Sequence, residues 1–515
     1  MVPEQSEPAT APPAAANERT AQAVDSFNQA VAHQQAGRYE EAITLYGEFN
    51  LQFPGVAAGY ANLGQALCEL GRCEEAIDAL ETALRLDHHA VGAYNNLIAL
   101  LFRIGQIDYA EALCWQQLER HAELVDPYIN LSAVLSRGHK FEAAWQVCRS
   151  APAAAQQSSL FQRNLGRVLT GLGSRGAEAG ITAFRRALAL DASDPIGHLG
   201  LAEALLRAGH YSEGWAEYQP VLKIAAKPGQ PWNGESLQRK TLLLHKDSGF
   251  GGGLGDVIHL SRFVPILQAL GADITLAVPE TLFPLFRSPA SGVTLVPYDG
   301  DWPVTDYHAS LMAVVRLLGT TLATIPTTIP YVSAQGDLVA AWRQRLAGRG
   351  GLKVGLVWAG HQYTNEFGYR QTDHRRAALA DLVPLLRVPG VTFVSLQQGD
   401  ARREIGGLPE DCALFDAADD LHDFGDSAAL IETLDLVISI DTSTAHLAGA
   451  LGKPVWILLS APACWRWMYD REDSPWYPTA RLFRQKSSGG WAETIQRVER
   501  ALITLTGGGG HTVAM

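Results

Sequence analysis

The stretch AAGYANLGQALCELGRCEEAIDALETALRLDHHA, residues 57–90, is one copy of a pattern that returns along the first half of the chain. Inside it lies the pair Asn62-Leu63, and the same pair returns at Asn96-Leu97, Asn130-Leu131 and Asn164-Leu165, each time 34 residues on. Repeats of this length stack into a superhelix with a concave inner face, which the first helix of each copy lines. The period therefore predicts a helical solenoid.

Each copy is predicted to hold two helices with a sharp turn between them. The turns fall at Gly37, Gly71, Gly105, His139 (after Gly138) and Gly173. Glycine adopts the left-handed conformation that ends a helix. A small residue near the start of the second helix lets the two helices approach closely, at Ala42, Ala76, Ala110 and Ala144. The pattern resembles the tetratricopeptide repeat, with six copies between residues 23 and 228.

One polar position recurs on the first helix of five consecutive copies. It is occupied by Asn28, Asn62, Asn96, Asn130 and Asn164. An asparagine amide both donates and accepts hydrogen bonds, so a ladder of them is predicted to bind the extended backbone of an acceptor peptide. Alternatively, each asparagine bonds to the neighbouring copy and sets the stacking. The ladder resembles the one in the repeat arm of nucleocytoplasmic O-linked N-acetylglucosamine transferase, and it stops at Gly200 in the sixth copy.

From Lys240 the period is lost, and short apolar strands alternate with helices, which predicts parallel sheets. The first series has strands at Leu242–His245, Ile274–Val278 and Val293–Val296 and helices at Val257–Leu270 and Leu282–Phe286. The second has strands at Val354–Trp358, Val391–Leu396, Leu436–Ile440 and Val455–Leu459, the last closing the series, and helices at Leu379–Leu386, Ala428–Leu434 and Thr444–Leu451. Two lobes with a boundary near residues 335–352 are expected, with ligands at the carboxyl ends of the strands.

The first motif that carries chemistry is the glycine-rich loop 249–255, which joins a strand to a helix. Glycines permit close backbone approach and a helix N-terminus attracts anions, although the spacing here is not that of a dinucleotide-binding loop. Asp256 follows at the start of the helix, and His259 lies one turn on. An aspartate in that position is either a simple helix cap or an acid with a chemical role.

Two further motifs lie in the second series. The strand 436–440 ends at Asp441, and hydroxyls then cluster at the start of the next helix, where free N–H groups favour a diphosphate. Later in the chain, Cys464-Trp465-Arg466-Trp467 brings an arginine, whose planar guanidinium suits phosphate.

In this order the motifs resemble those of bacterial heptosyltransferase-type glycosyltransferases (glycosyltransferase family 9-like), and most closely those of repeat-bearing relatives. The resemblance extends over about residues 240–505 and includes Gly253–Arg262, Asp441–Trp456 and Trp465–Trp467. It implies the GT-B fold of two Rossmann-like lobes. The expected fold class is therefore an α-solenoid of tetratricopeptide repeats followed by an α/β GT-B pair of lobes.

The resemblance also implies roles for individual residues. Asp256 matches the proposed catalytic base, and His259 is counted with it as catalytic. The nucleotide-sugar would be bound by Gly253, Gly255, Arg375, Gln397, Asp441, Thr442, Ser443, Thr444, His446 and Arg466. Because Arg375 and Arg466 would offset the charge of the leaving group, no metal and no cofactor are expected beside the nucleotide-sugar.

Three departures from the family pattern leave the choice of donor open. Cys464 stands where an aspartate is usual, so one polar contact is lost. The usual Arg-Ser pair reads Arg375-Arg376, and His259 replaces a common glutamine.

The net charge, the cysteine spacing and the apolar runs bear on the kinds of partner, metal site and location that are expected. A formal net charge of −13 argues against a nucleic-acid partner, and the six cysteines show no zinc spacing. Without a leader or a long apolar run, the protein is expected to be cytoplasmic with no membrane span. The expected parts are a disordered tail (1–20), the repeats (21–230), an acceptor-side lobe (240–340), a nucleotide-sugar lobe (350–505) and a flexible tail (506–515).

The combined prediction is Ser/Thr O-glycosylation of a protein held on the concave face of the repeats, which also offer a route to a homo-oligomer. Flagellin is a candidate acceptor, because flagellin-modifying enzymes share this layout. One alternative is an enzyme that glycosylates lipopolysaccharide or another glycan, with the repeats used for assembly. Another is a non-catalytic binding scaffold with a decayed transferase half.

Overall fold

A computed structural model describes residues 13–219, 228–246, 253–287, 291–360, 374–486 and 490–507. The chain divides into two compact units, the first reaching Gln156 and the second beginning at Gln157. No helix in these described ranges is long and apolar enough to cross a membrane.

The first unit consists of four helical pairs. They are α1 (Pro13–Gln35) with α2 (Tyr39–Gln52), α3 (Ala57–Glu69) with α4 (Cys73–Leu86), α5 (Val91–Ile104) with α6 (Ile107–Arg120), and α7 (Asp126–Arg137) with α8 (Phe141–Ser150). The predicted disordered tail of residues 1–20 is wrong for its last part, since α1 begins at Pro13. The alanine run after this proline has high helix propensity, and proline is tolerated at the first helical position.

The backbone confirms the predicted turns. The four glycines have positive φ angles, namely Gly37 (73°), Gly71 (71°), Gly105 (84°) and Gly173 (82°). His139 takes the same conformation at φ 58° although it carries a side chain. The alanines of the second helices, Ala42, Ala76, Ala110 and Ala144, are fully buried, as close helix packing requires. The 34-residue period therefore corresponds to one helical pair.

The second unit begins with two more pairs, α9 (Ser159–Gly171) with α10 (Ala177–Leu190) and α11 (Pro195–Ala208) with α12 (Tyr211–Tyr218). The sixth pair shares one hydrophobic core with the α/β lobes, since Leu206 and Trp215 belong to the same buried cluster as Leu242. At the expected end of the repeats, residue 230, β1 (Gln230–Pro231) already pairs with a strand of the following lobe.

The first α/β lobe contains a five-stranded parallel sheet in the order β1-β5-β2-β3-β4. Its elements are β2 (Lys240–His245), α13 (Leu254–Leu260), α14 (Val264–Ala269), β3 (Ala272–Val278), α15 (Phe283–Phe286), β4 (Val293–Pro297), β5 (Tyr307–Ser310) and α16 (Leu311–Leu317). The predicted helix 257–270 is interrupted between α13 and α14, because Pro265 cannot donate the helical hydrogen bond. Strand β5 and helix α16 were not predicted.

The second lobe contains a six-stranded parallel sheet in the order β11-β10-β9-β6-β7-β8. Its elements are α17 (Gly336–Arg345), β6 (Leu352–Val357), α18 (Val383–Leu386), β7 (Val391–Ser395), β8 (Leu414–Asp416), α19 (Phe424–Glu432), β9 (Leu436–Ile440), α20 (Ser443–Ala450), β10 (Val455–Leu459), β11 (Ala480–Arg484) and α21 (Ala492–Gly507). The prediction that β10 closes the series is wrong, since β11 pairs beyond it. The sequence does not predict β11, because arginines at 481 and 484 interrupt its apolar pattern.

Candidate active site between the two α/β lobes

The two lobes meet where α13 of the first packs against α20 of the second. Gly255 makes this approach possible. A Cβ atom added to Gly255 would lie 2.9 Å from Cδ2 of His446 and 3.4 Å from Cα of Ser443. The absence of a side chain at Gly255 therefore allows α13 and α20 to pack closely. Residues 249–252 of the predicted glycine loop lie outside the described part of the chain.

Asp256 lies in the first turn of α13 and faces Arg466 of the other lobe. Its Oδ2 accepts a hydrogen bond of 3.0 Å from the backbone N–H of Gly253, and its Oδ1 pairs with Nη2 of Arg466. The aspartate is therefore both a helix cap and one partner of an interlobe ion pair. Its side chain is 19% exposed, whereas that of Arg466 is 7% exposed.

The guanidinium of Arg466 is held between a thiol and an indole. Nη1 donates to Sγ of Cys464 at 3.0 Å, and the group lies 4.4 Å from the ring centroid of Trp465. Its Nε is buried and has no hydrogen-bond partner in the described part of the chain. Burial has the largest single effect and lowers the pKa of Arg466, but Asp256, Cys464 and Asp441 together outweigh it and hold this pKa above its usual value.

Two histidines, one from each lobe, share the hydroxyl of Tyr477. The Tyr477 oxygen lies 3.0 Å from Nδ1 of His259 and 2.9 Å from Nδ1 of His446. Nε2 of His446 lies 3.8 Å from Oδ1 of Asp441. One consistent set of protons has Tyr477 donating to His446 and accepting from His259, while His446 directs its Nε2–H toward Asp441.

Burial keeps both histidines neutral. Desolvation, aided by the nearby arginines, lowers the pKa of His259 and of His446 well below 6.5. His259 is fully buried and its ring centroid lies 4.5 Å from that of Trp476. A side chain enclosed in this way does not reach a bound substrate, so the structure favours a positioning role for His259 over the catalytic role predicted from the sequence.

Asp441 lies one residue beyond β9, at the carboxyl end of the sheet, as predicted. Its backbone oxygen accepts a hydrogen bond of 3.2 Å from Nη1 of Arg375. Burial raises the pKa of its carboxyl group, and the charge of Arg375 opposes this shift. Thr442, Ser443 and Thr444 follow at the start of α20 and are half-buried. Three predicted donor-side features, the acid, the arginine and the hydroxyls, therefore converge at one edge of the second sheet.

The side chain of Gln397, predicted to bind the nucleotide-sugar, is hydrogen-bonded to backbone groups in this structure. Its Oε1 accepts hydrogen bonds from the N–H groups of Trp358 (3.0 Å) and Ala359 (2.9 Å). Its amide nitrogen donates to the carbonyls of Ala359 (3.0 Å) and Gln398 (2.8 Å). The side chain thus ties the chain beyond β6 to the chain beyond β7, and both of its amide N–H groups are used by the backbone.

The sequence alone did not reveal that the sixth repeat contributes to this site. The ring of Trp215 lies 5.2 Å from that of Trp465, beside Arg466. Nε1 of Trp476 donates to the hydroxyl of Tyr211 at 3.2 Å. Tyr211, Trp215 and Tyr218 recur at helical spacing on α12, a pattern that predicts a buried face but not its partner.

The asparagine ladder is only partly available to a ligand. Nδ2 of Asn130 donates to Oδ1 of Asn95 (2.8 Å) and to Oε1 of Gln117 (3.1 Å), both in the preceding repeat. Asn62 bonds to Tyr46, also in the preceding repeat. At these two positions the structure favours the stacking interpretation. The remaining members differ in exposure: Asn28 is exposed, Asn96 is half-buried, and Asn164 is buried in the second unit.

Comparison with known proteins supports the repeats. The tetratricopeptide-repeat family matches residues 33–101 and 165–231. Protein FlbA of Caulobacter vibrioides is 29% identical over 496 residues, which cover 90% of this chain and 75% of its own. This match therefore takes in both the repeats and the lobes.

Two solved structures are also similar. The glycosyl transferase family 9 protein of Veillonella parvula is 13% identical with a TM-score of 0.40, covering 53% of this chain and 100% of its own. A thermophilic tetratricopeptide-repeat protein of Thermus thermophilus is 23% identical with a TM-score of 0.29, covering 33% of this chain and 92% of its own.

Replacing Gly255 by alanine should destabilise the contact between the lobes. The new Cβ would meet a histidine ring that its bond to Tyr477 holds in place. Overpacking of this kind costs about 1–3 kcal/mol in the free energy of unfolding. Gly253→Ala is the matched control, because among the described residues its Cβ would meet only Oδ2 of Asp256, at 3.4 Å. Equal urea midpoints for the two variants would contradict the close approach.

Acidification should destabilise the second unit through its buried histidines. Below about pH 6.5 the unfolded chain binds protons at these positions and the folded chain does not, so the free energy of unfolding falls. His259→Gln should reduce this slope by up to about 1.4 kcal/mol per pH unit. The midpoints of urea unfolding, measured between pH 7 and 5, test this. The control is His422→Gln, because His422 is exposed. An unchanged slope in His259→Gln would show that His259 is protonated in the folded protein.

Proposed function

We propose that this chain is a glycosyltransferase that moves a sugar from a nucleotide-sugar to a Ser/Thr hydroxyl of a protein acceptor associated with its repeats. The observation that carries the proposal is the meeting of Asp256 with Arg466 between two parallel-sheet lobes. An acid of one lobe and a permanent cation of the other are the two groups that such a transfer needs.

The reaction follows from these two charges. The acceptor oxygen attacks the anomeric carbon while Asp256 takes its proton. The bond between that carbon and the diphosphate oxygen breaks, and its electron pair leaves with the diphosphate. Arg466 and Arg375 offset the charge that develops on the leaving group, which is the role a guanidinium fork suits best. The transfer is therefore proposed to need no metal.

The donor side of the proposal rests on the carboxyl edge of the second sheet. Asp441, the hydroxyls at the start of α20, and Arg375 lie together there. Open parallel sheets bind their ligands at this edge. The residues are also those by which the chain resembles heptosyltransferase-type enzymes. Gln397 supports the site by fixing its backbone.

The acceptor side rests on the repeats. Tetratricopeptide repeats present an extended concave surface of the kind that binds proteins, so a protein acceptor, with flagellin as a candidate, is proposed. The internal bonds of Asn62 and Asn130 favour a second candidate, in which the repeats serve assembly and the acceptor is a glycan. The two candidates share the same chemistry and differ only in the part played by the repeats.

Asp256→Asn should abolish transfer without abolishing donor binding. Loss of a general base lowers the rate by about 10²- to 10⁴-fold. The assay incubates purified protein with labelled UDP-, GDP-, CMP-, ADP- or dTDP-sugars and acceptor, and calorimetry measures donor affinity. Asp411→Asn is the control, because Asp411 is paired with Arg387 on the surface. Wild-type transfer by Asp256→Asn would refute the assignment of the base.

Removal of residues 1–156 distinguishes the two acceptors. This cut keeps the sixth repeat, whose aromatic residues belong to the core of the lobes. With a protein acceptor, transfer should be lost while slow donor hydrolysis continues. Transfer to a glycan at the full rate would favour the second candidate. Failure of the intact chain to bind any nucleotide would instead favour a scaffold without catalytic activity.

A further inference from the structure

Both carboxylate oxygens of Asp256, the proposed base, already have partners in this structure. One carboxylate oxygen of Asp256 accepts from the Gly253 N–H, and the other pairs with Arg466. An arginine at hydrogen-bond distance stabilises the ionised form of a carboxylate and so opposes the proton transfer that base catalysis requires. Asp256 therefore needs to be separated from Arg466 before it acts.

Arg466 has the capacity to take a second anion. Among the described residues, its guanidinium donates besides Asp256 only to the Cys464 thiol, which is a weak acceptor, and its buried Nε has no partner there. A diphosphate offers several anionic oxygens and matches the guanidinium fork bidentately. It is therefore a stronger partner for this arginine than one carboxylate oxygen and a thiol.

Simple opening of the pair is unfavourable. The Arg466 side chain is 7% exposed, so separation without a replacement would leave a buried charge that has lost its ion-pair partner and keeps only the weaker attraction of Asp441. An incoming anion avoids this cost because the guanidinium exchanges one partner for another. The exchange also leaves Asp256, which is 19% exposed, with access to an acceptor hydroxyl.

We propose that Asp256 and the diphosphate of the donor compete for Arg466, so that donor binding itself releases the base. This inference rests on the proposed function. The donor then binds before the acceptor is activated, and the acceptor proton passes to Asp256 only when the leaving group is already held by Arg466. Departure of the nucleoside diphosphate restores the ion pair.

The test is a double-mutant cycle on nucleotide affinity in the full-length protein. Calorimetry measures the dissociation constants of UDP, GDP, ADP and dTDP, with inorganic pyrophosphate as the probe without a base. The four proteins are the wild type, Asp256→Asn, Arg466→Gln and the double variant. Asparagine keeps an oxygen to accept the Gly253 N–H, so the start of α13 is preserved.

Competition predicts a specific pattern of affinities. Asp256→Asn should bind the diphosphate on the order of tenfold more tightly than the wild type, because the diphosphate no longer has to displace a carboxylate from Arg466. Arg466→Gln should bind it more weakly. In the Arg466→Gln background, Asp256→Asn should change the affinity by less than about twofold, since the shared partner is gone.

Two results would overturn the proposal while leaving the proposed function intact. One is an Asp256→Asn variant that binds the diphosphate with wild-type affinity. The other is an equal gain in affinity from Asp256→Asn in the wild type and in Arg466→Gln, because this would show simple charge repulsion between Asp256 and the diphosphate. If Arg466→Gln does not fold, Arg466→Met, which also removes the charge, replaces it, and an undiminished gain in that background has the same meaning. If neither the wild type nor Asp256→Asn binds any of the probes, the proposed function fails together with the competition.

Discussion

The ion pair between Asp256 and Arg466 is the interaction around which the second unit is arranged. It exists only because α13 and α20 come close, and they come close because residue 255 has no side chain. The pair brings together opposite charges from two separate sheets in a partly enclosed space, where electrostatic interactions are stronger than in water. The same feature makes the arrangement sensitive to any anion that enters the site.

A shell of aromatic residues supports this pair and explains why the sixth repeat belongs to the same unit as the α/β lobes. Trp215 contacts Trp465, the ring on which Arg466 lies, and Tyr211 bonds to Trp476, which packs on His259. Large aromatic side chains supply much of the burial in such cores. The helical repeats therefore do not end where the α/β fold begins, since their last pair forms one wall of its core.

The sequence predicted the periodic parts of the fold well, because period 34 and strand–helix alternation are local signals. It predicted most strands of both sheets, and it placed Asp256 at a helix start and Asp441 after a strand, where the structure has them. It missed β11, whose arginines break the apolar pattern, and it could not show that Gln397 is used by backbone groups. Contacts between distant segments, such as that of Trp215 with Trp465, leave no local signal, so only the structure reveals them.

A crystal structure of the full-length protein with a nucleoside diphosphate bound tests the competition for Arg466 most directly. Competition predicts phosphate oxygens within hydrogen-bond distance of the Arg466 guanidinium, beside Asp441 and the start of α20, with the Asp256 carboxylate separated from Arg466 and open to solvent. A diphosphate bound elsewhere, with Asp256 and Arg466 still paired, would contradict it.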